Sequence, residues 1–372
     1  MAAQIEQREL YLSCSRFLSL DPPRDSRAQL AALAAAAPAG EALDFYGHGA
    51  LLEDLERRTA ALLGKPAAVF GPSGKMLQNA ALRVWADCAG QRTVALHPQS
   101  HIVADEADAY REVFGLEGVD LGAAGQLPTL CDLQAIDVPL GAVTLELPLR
   151  NIGCRLHPWE DLEAFAALCR ERRVAFHADA ARLWESQPFY GRRLNEIAGL
   201  FDSLYVSFYK GLGGLAGGAL AGPEDVVEEV RLWQRRCGGR LHRLQPYVIS
   251  ARQGLDRRLP RMPAYHAKAR SLAAALAALP GVTVYPEPPQ ANAFLVTLDT
   301  GGADLMAAAF DVAADSGFWM MERAWPAPGE GLGRFEITVR EGAMALSDAE
   351  VVAGVRQLQA VLARRGATSR TA

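Results

Sequence analysis

Residues 174–220 read VAFHADAARLWESQPFYGRRLNEIAGLFDSLYVSFYKGLGGLAGGAL, and two short apolar runs within them decide the fold class. The first, Val174-Ala175-Phe176, is bounded by charge and ends in His177, Asp179 and Arg182. The second, Ser203 to Phe208, ends in Tyr209, Lys210 and a glycine-rich bend. Apolar runs that deliver polar groups only at their carboxyl ends mark parallel strands buried on both faces. In an open α/β sheet the active crevice lies at those ends. One Asp and one Lys are therefore expected on neighbouring strand ends.

A random Asp and Lys are usually no more than surface termini of ordinary strands. Three features favour a shared task here. Lys210 precedes Gly211, Gly213 and Gly214, so the chain can pass close to a flat ligand without Cβ collisions. Arg182, three residues after Asp179, adds a second charge to the same crevice. G-L-G-G-L-A-G also fails as a dinucleotide fingerprint, because a strand-like GGALAG follows where a helix is required. A carboxylate and an amine held apart in this way suit pyridoxal phosphate. The amine forms a Schiff base with the aldehyde, and the carboxylate keeps the pyridine nitrogen protonated so that the ring accepts electrons.

H-A-D-A-A-R at 177–182 and S-F-Y-K-G-L-G-G-L-A-G at 207–217 resemble the cofactor Asp/Arg motif and the Schiff-base lysine motif of the threonine aldolases, within the β-eliminating lyase group of fold type I pyridoxal enzymes. D-F-Y-G at Asp44, G-P-S-G-K-M at Gly71, S-H-I at Ser100 and E-L-P-L-R-N-I-G at Glu146 extend the resemblance over most of the first 220 residues. Beyond that it thins. It implies an α/β, aspartate-aminotransferase-like large domain with a mostly parallel sheet over residues 1–245, opened by an arm at 1–20, and a small α+β carboxy-terminal domain over 246–372. Sites of this fold are built between two subunits, so a homodimer or homotetramer is implied as well.

Taken in order, residues 1–20 are expected to be an extended arm, and the resemblance offers Ser13 or Ser15 to a substrate carboxylate. Ser26 to Ala37 is a helix by propensity. Leucines 51, 52, 55, 62 and 63 form a helical stripe that belongs to a core. Ala67–Phe70 is a strand, Gly71–Lys75 a turn and Met76–Ala86 a helix. That sequence of elements presents free backbone N–H groups and the positive end of a helix dipole, so Ser73, Gly74 and Lys75 are the expected phosphate loop. The family often has Thr in place of Lys75. After the strand Thr93–His97, the histidine of S-H-I, His101, is implied to stack on the cofactor ring, ahead of a helix holding Asp105, Glu106 and Asp108.

Ala142–Leu147 is strand-like, and the loop after it departs from the family pattern E-N-T-H-N-R-x-G-G. Leu149 stands where that pattern has a histidine, which leaves the substrate's hydroxyl proton without an obvious acceptor. Helices are expected from His157 to Arg172 and from Pro223 to Arg236. The C-G-G-R-L-H-R run at 237–243 resembles a glycine-rich loop whose arginine reaches a neighbouring subunit's phosphate, with Arg240, His242 and Arg243 all candidates. Helix and strand then alternate: helix 264–279, strands 282–285 and 294–298, helix 304–316, strands 318–321 and 334–339, and a last helix ending at Arg364-Arg365, with fraying from Thr368. The family clamps the substrate carboxylate with an arginine near the last strand, where Arg334 and Arg340 both lie and Glu336 falls closest to the place. Arg182 is the safer partner.

Composition narrows the classes. The chain's 372 residues suggest two domains, and half of them are hydrophobic with 22% charged, as in ordinary globular proteins. A net charge of -5 gives no basic footprint for nucleic acid. The six cysteines, at 14, 88, 131, 154, 169 and 237, contain no C-x-x-C, so neither zinc nor a disulfide framework is expected. MAAQIEQREL lacks a leader pattern and no run is long enough for a bilayer, which points to a cytoplasmic protein.

The function implied is pyridoxal-phosphate-dependent Cα–Cβ cleavage of a β-hydroxy amino acid, L-threonine or L-allo-threonine, to glycine and acetaldehyde. Lys210, His101, Asp179 and Arg182 would carry the chemistry. Ser73, Gly74, Lys75, His101, Asp179, Arg182, Ser207 and Lys210 would hold the cofactor, and Ser15, Arg182 and Arg334 the substrate, with no metal. The alternatives are a β-eliminating lyase or racemase using Lys210 as base, a non-catalytic pyridoxal-binding protein, and a nucleotide-dependent enzyme reading the glycines.

Overall fold

Apolar strands joined by amphipathic helices can bury both faces of a sheet only by layering helices on each side. The computed structural model describes residues 2–369. They form two units, one of residues 30–262 and one made of the described residues up to 29 together with those from 263 onward. In chain order the strands are β1 (Arg16–Phe17), β2 (Ala67–Gly71), β3 (Thr93–Leu96), β4 (Glu117–Asp120), β5 (Ala142–Glu146), β6 (Ala175–Asp179), β7 (Ser203–Ser207), β8 (Gly218–Gly222), β9 (Val282–Tyr285), β10 (Ala293–Leu298), β11 (Phe318–Trp319), β12 (Trp325–Pro326) and β13 (Gly333–Thr338). The boundary falls after Met262 rather than at 245, because the helix Gln245–Arg257 packs on the helix Ala50–Leu63 of the first unit.

The first unit is built on a sheet of order β2-β8-β7-β6-β5-β3-β4. The ladders from β7 through to β4 are parallel, and β8 alone runs antiparallel to both its neighbours. No crossover helix separates β7 from β8, so the chain must reverse in the bend between them. The helices Gly74–Ala89 and Glu224–Arg236 bury Leu77, Ala80, Ala81, Val84, Val226, Val227 and Val230 against Val69, Leu96 and Leu220. Each such Leu or Val contributes about 1.5–3 kcal/mol when fully buried. In the helix Ala50–Leu63, Leu51, Leu52, Leu55 and Leu63 are buried, while Leu62 is only partly so. That helix stops at Gly64, whose φ of 62° closes it with a left-handed cap.

The parallel strands deliver their ends in register. Glu146 of β5 pairs with Asp179 of β6, and Asp179 with Tyr205 of β7. The helix expected around Asp105 to Asp108 is absent: a short helix, His101–Ala104, breaks at Ala107 and Asp108, both at positive φ, before a second begins at Ala109. The break lets Glu106 turn inward, where it is buried.

In the second unit β12-β13-β10-β9 form an antiparallel sheet, and β1 pairs with β11 in parallel. The arm expected to be extended is mostly a helix, Ala2–Ser13. Its Leu10 and Tyr11 pack with Cys14, Phe17, Phe310, Ala313 and Trp319, a contact that pays only in the folded chain and leaves no local periodic signature. The last helix runs Asp348–Ser369, so Thr368 and Ser369 are helical, and residues 370–372 of the stretch expected to fray lie outside the described residues. Among the described residues no helix is long and apolar enough to cross a membrane.

Candidate active site

A cavity of about 280 Å³ opens in the first unit, lined by Pro72 to Lys75 with Gln78, by His101 with Glu106, and by Tyr205, Tyr209, Lys210 and Leu215 to Gly217. Ser73, Gly74 and Lys75 form one end. Ser73 precedes the helix Gly74–Ala89 yet makes no side-chain cap, so the first-turn N–H groups face the cavity without a partner from that hydroxyl. A Cβ at Gly74 would stand 2.0 Å from the Tyr205 hydroxyl, which makes glycine obligatory there. Lys75 turns aside, and its Nζ donates to the Asp105 carbonyl at 2.6 Å. The backbone is thus the better anion cradle.

Lys210 lies three residues past β7, over the Tyr209 ring at 5.7 Å. Burial and the Arg182 guanidinium push its amine down to about 8, against the carboxylates of Asp179, Glu146 and Glu185, which pull it up. Burial thus favours the neutral, nucleophilic form of the amine. Asp179 is buried and accepts from the Ala181 N–H at 3.2 Å. Arg182 sits at the amino end of the helix Leu183–Tyr190, within electrostatic reach of Lys210 and Tyr209.

The glycines of the bend after Lys210 leave no room for a side chain. Gly211 donates its N–H to Glu185 Oε1 at 2.7 Å, and Gly217, at φ 91°, approaches so closely that a Cβ would lie 2.4 Å from the Phe70 ring.

His101 is held by its ring. Nδ1 meets Glu106 Oε1 at 2.9 Å, and Glu106 Oε2 accepts from Asn79 Nδ2 at 2.6 Å. The hydrogen bond to Glu106 raises the imidazole's pKa above its usual value. Asn151 donates to the Gln99 carbonyl at 3.1 Å and to Asp105 Oδ2 at 2.9 Å, tying the loop after β5 to the same segment.

Other expected residues are placed differently. Ser207 is fully buried, donates its hydroxyl to the Ala181 carbonyl at 2.6 Å and does not line the cavity, so it braces the Asp179–Arg182 turn. Leu149 is also buried, with its backbone bridged to Arg155, and it too is absent from the lining. Ser15 and Arg334 belong to the second unit, Ser15 bonding through its N–H to the Gly317 carbonyl at 3.0 Å and Arg334 lying in β13 across from Trp325. Arg340 precedes the helix Glu341–Met344 in that unit. Arg240 bonds to the Tyr46 carbonyl and His48, and Arg243 to the Asp44 carbonyl, while His242 packs edge-on against Phe45 and Tyr46. Among the described residues no group of three or more His, Cys, Asp or Glu could hold a metal.

Glu106 and Glu146 were not foreseen as site residues. Glu146 could have been found by the reasoning applied to Asp179, since it too is an acid at the carboxyl end of an apolar strand. Glu106 gave a weaker signal, an acid five residues past the histidine.

An open, mostly parallel sheet with a lysine and an aspartate on adjacent strand ends defines the fold type I class of enzymes. The beta-eliminating lyase family matches residues 24–300, and the chain belongs to that family. A candidate L-allo-threonine aldolase from Listeria monocytogenes EGD-E is 36% identical with a TM-score of 0.90, covering 95% of this chain and 98% of that one. A candidate aromatic amino acid beta-eliminating lyase/threonine aldolase from Exiguobacterium sp. 255-15 is 38% identical with a TM-score of 0.89, covering 95% and 99%. A low specificity L-threonine aldolase of Escherichia coli O157:H7 is 28% identical over 254 residues, 67% of this chain and 75% of its own length. The chain is therefore an enzyme of the lyase class.

Proposed function

We propose that the protein is a pyridoxal-phosphate-dependent aldehyde-lyase that cleaves L-threonine or L-allo-threonine to glycine and acetaldehyde. The observation that carries this reading is Lys210, an amine lowered to about 8 within electrostatic reach of the buried Asp179. The residues present fit the cofactor: buried Gln78 lines the cavity with its Oε1 lacking a protein partner, and Gly74 keeps the helix amino terminus open. When bound, pyridoxal phosphate supplies a conjugated ring that accepts the electron pair of the breaking bond.

Lys210 is the residue that attaches the cofactor. Asp179 offers its carboxylate to the pyridine nitrogen, and the N–H groups at Ser73 to Lys75 receive the phosphate. His101 covers one face of the ring and excludes water from it, held in place by Glu106. Arg182 orients the substrate carboxylate. In the cleavage the hydroxyl proton leaves, Cβ becomes the aldehyde carbon, and Cα takes a proton to give glycine. Ser207 supports this indirectly through the Ala181 carbonyl.

A second reading is β-elimination or racemisation, in which Lys210 removes the Cα proton. It is favoured by Leu149, an apolar buried residue in the loop where an acceptor for the hydroxyl proton would be sought. A homodimer or homotetramer is part of the proposal, supported by the exposed Phe45 and Tyr46 rings clustered with His242. Sedimentation at the 40.0 kDa of one chain would contradict it.

Incubation with L-threonine and L-allo-threonine, followed by aldehyde measurement, tests the activity. Aldehyde from either supports cleavage, whereas pyruvate or ammonia from other amino acids with no aldehyde replaces it by the second reading. Visible absorbance after addition of pyridoxal phosphate, fixed to Lys210 by borohydride, tests the cofactor. A protein that stays colourless sinks both readings.

A further inference from the structure

Glu146 ends β5 as a buried acid, and the chemistry above makes no use of it. Its two oxygens are both engaged by main chain: Oε2 accepts from the His101 N–H at 2.8 Å and Oε1 from the Arg150 N–H at 3.2 Å. His101 opens the helix His101–Ala104 and Arg150 opens the turn Arg150–Ile152. One side chain therefore joins the start of the segment that carries the imidazole to the start of the loop that follows β5. Asn151 repeats the link from the loop's side through Gln99 and Asp105. On the neighbouring strand, in register with Glu146, stands Asp179.

We propose that Glu146 is a positioning residue for the reaction, a single carboxylate that locks the backbone of His101 to that of Arg150 beside Asp179 and so sets how the imidazole and the 147–153 loop face cofactor and substrate. The part concerning cofactor and substrate rests on the pyridoxal reading above; the two backbone bonds do not.

The anion is what the geometry requires, because two N–H donors converge on one group. A glutamine keeps one oxygen and turns an NH₂ toward the other N–H, so donor faces donor and one segment must move. The charged groups facing Glu146 are Asp179 on β6, the imidazole of His101 and the amine of Lys210. Burial first, then Asp179, raises its pKa to about 7 against the two N–H groups and His101. Below that pH the carboxyl gains a proton, and the longer bond, to Arg150, is the one to weaken. The loop is therefore gripped more firmly above about 7 than below it.

The test uses Glu146→Gln as holoenzyme and as cofactor-free protein. In the holoenzyme, the circular dichroism of the bound cofactor should change with pH around 7 in the wild type and lose that step in the variant. kcat should fall by roughly 100-fold with KM nearly unchanged, the cost of a small misplacement at a reacting centre. In the cofactor-free protein, amide hydrogen exchange at His101 and Arg150 should accelerate by about tenfold or more in the variant. Unchanged exchange at both amides overturns the proposal, as does a variant whose dichroism and pH profile superimpose on the wild type. Should that variant not fold, Glu146→Asp decides: the shorter side chain cannot reach both N–H groups, so exchange at His101 or Arg150 should accelerate, and unchanged exchange at both overturns the proposal. A colourless wild type with both amides protected would end the pyridoxal reading and leave the backbone link standing.

Discussion

The two halves of the candidate site are held by different means. Asp179 ends β6 and Lys210 follows β7, where ladder hydrogen bonds and a glycine-rich bend fix the backbone. The segment from His97 to Glu106, with the loop from Leu147 to Gly153 tied to it, lies beyond the strand ends. It is held by a net of side-chain bonds: Glu106 to His101 and Asn79, Glu146 to two N–H groups, and Asn151 to Gln99 and Asp105. A ladder distributes its energy over many bonds, so it tolerates local change. A net of a few polar contacts, most of them only partly buried, is more sensitive, since each bond is a large share of the whole.

The comparison can be broken most directly at Lys210. Lys210→Ala should lower turnover by about 10⁴-fold and abolish borohydride labelling, yet leave the fold intact by circular dichroism. Asp179→Asn comes next, at roughly 10²–10³-fold in kcat. The same substitution checks the electrostatics in cofactor-free protein. There the rate of Lys210 labelling by an amine reagent should rise through a pH of about 8. Because the Asp179 carboxylate raises the lysine and Arg182 lowers it, Asp179→Asn should move that midpoint down and Arg182→Gln should move it up.

On the other side, Glu106→Gln should reduce kcat by roughly 10- to 100-fold, by analogy with outer partners of functional histidines. It should also shift the pH profile to the acid side, since the bond to Glu106 is the largest cause of the raised His101 pKa. A profile that does not move would separate Glu106 from the imidazole. The smallest effect is expected at Leu149. Placing His there should leave aldehyde production without gain and cost about 1–3 kcal/mol in denaturant unfolding, because the position is buried and a ring nitrogen would go unpaired. A gain in aldehyde would show that the loop opens to the site.

How far each side was legible follows from the same contrast. Asp179, Lys210 and Gly74 are announced by short-range patterns: an apolar run, a polar end, a glycine where backbone must approach a neighbour. Glu106 and Glu146 are not, because an acid's burial depends on donors that come from elsewhere in the chain; His101 lies 45 residues from Glu146. β4 was overlooked because E-G-V-D is charged and mostly exposed. The helix Ala2–Ser13 was misread as extended because its apolar partners lie about 300 residues away, at Phe310 to Trp319. The end of the first unit was harder to read for a related reason, since only packing assigns Gln245–Arg257 to it.

The reversal between β7 and β8 limits how this enzyme can be altered. A methyl group at Gly211, Gly214 or Gly217 would stand 2.4, 2.8 or 2.4 Å from its nearest neighbour, so sequence variation there is closed off. Residues 147–153 carry no such steric bar at their partly exposed positions Arg150 and Asn151. A directed library should therefore be spent on the Arg150 codon, leaving untouched the glycines and Asn151, whose bonds to Gln99 and Asp105 tie the loop.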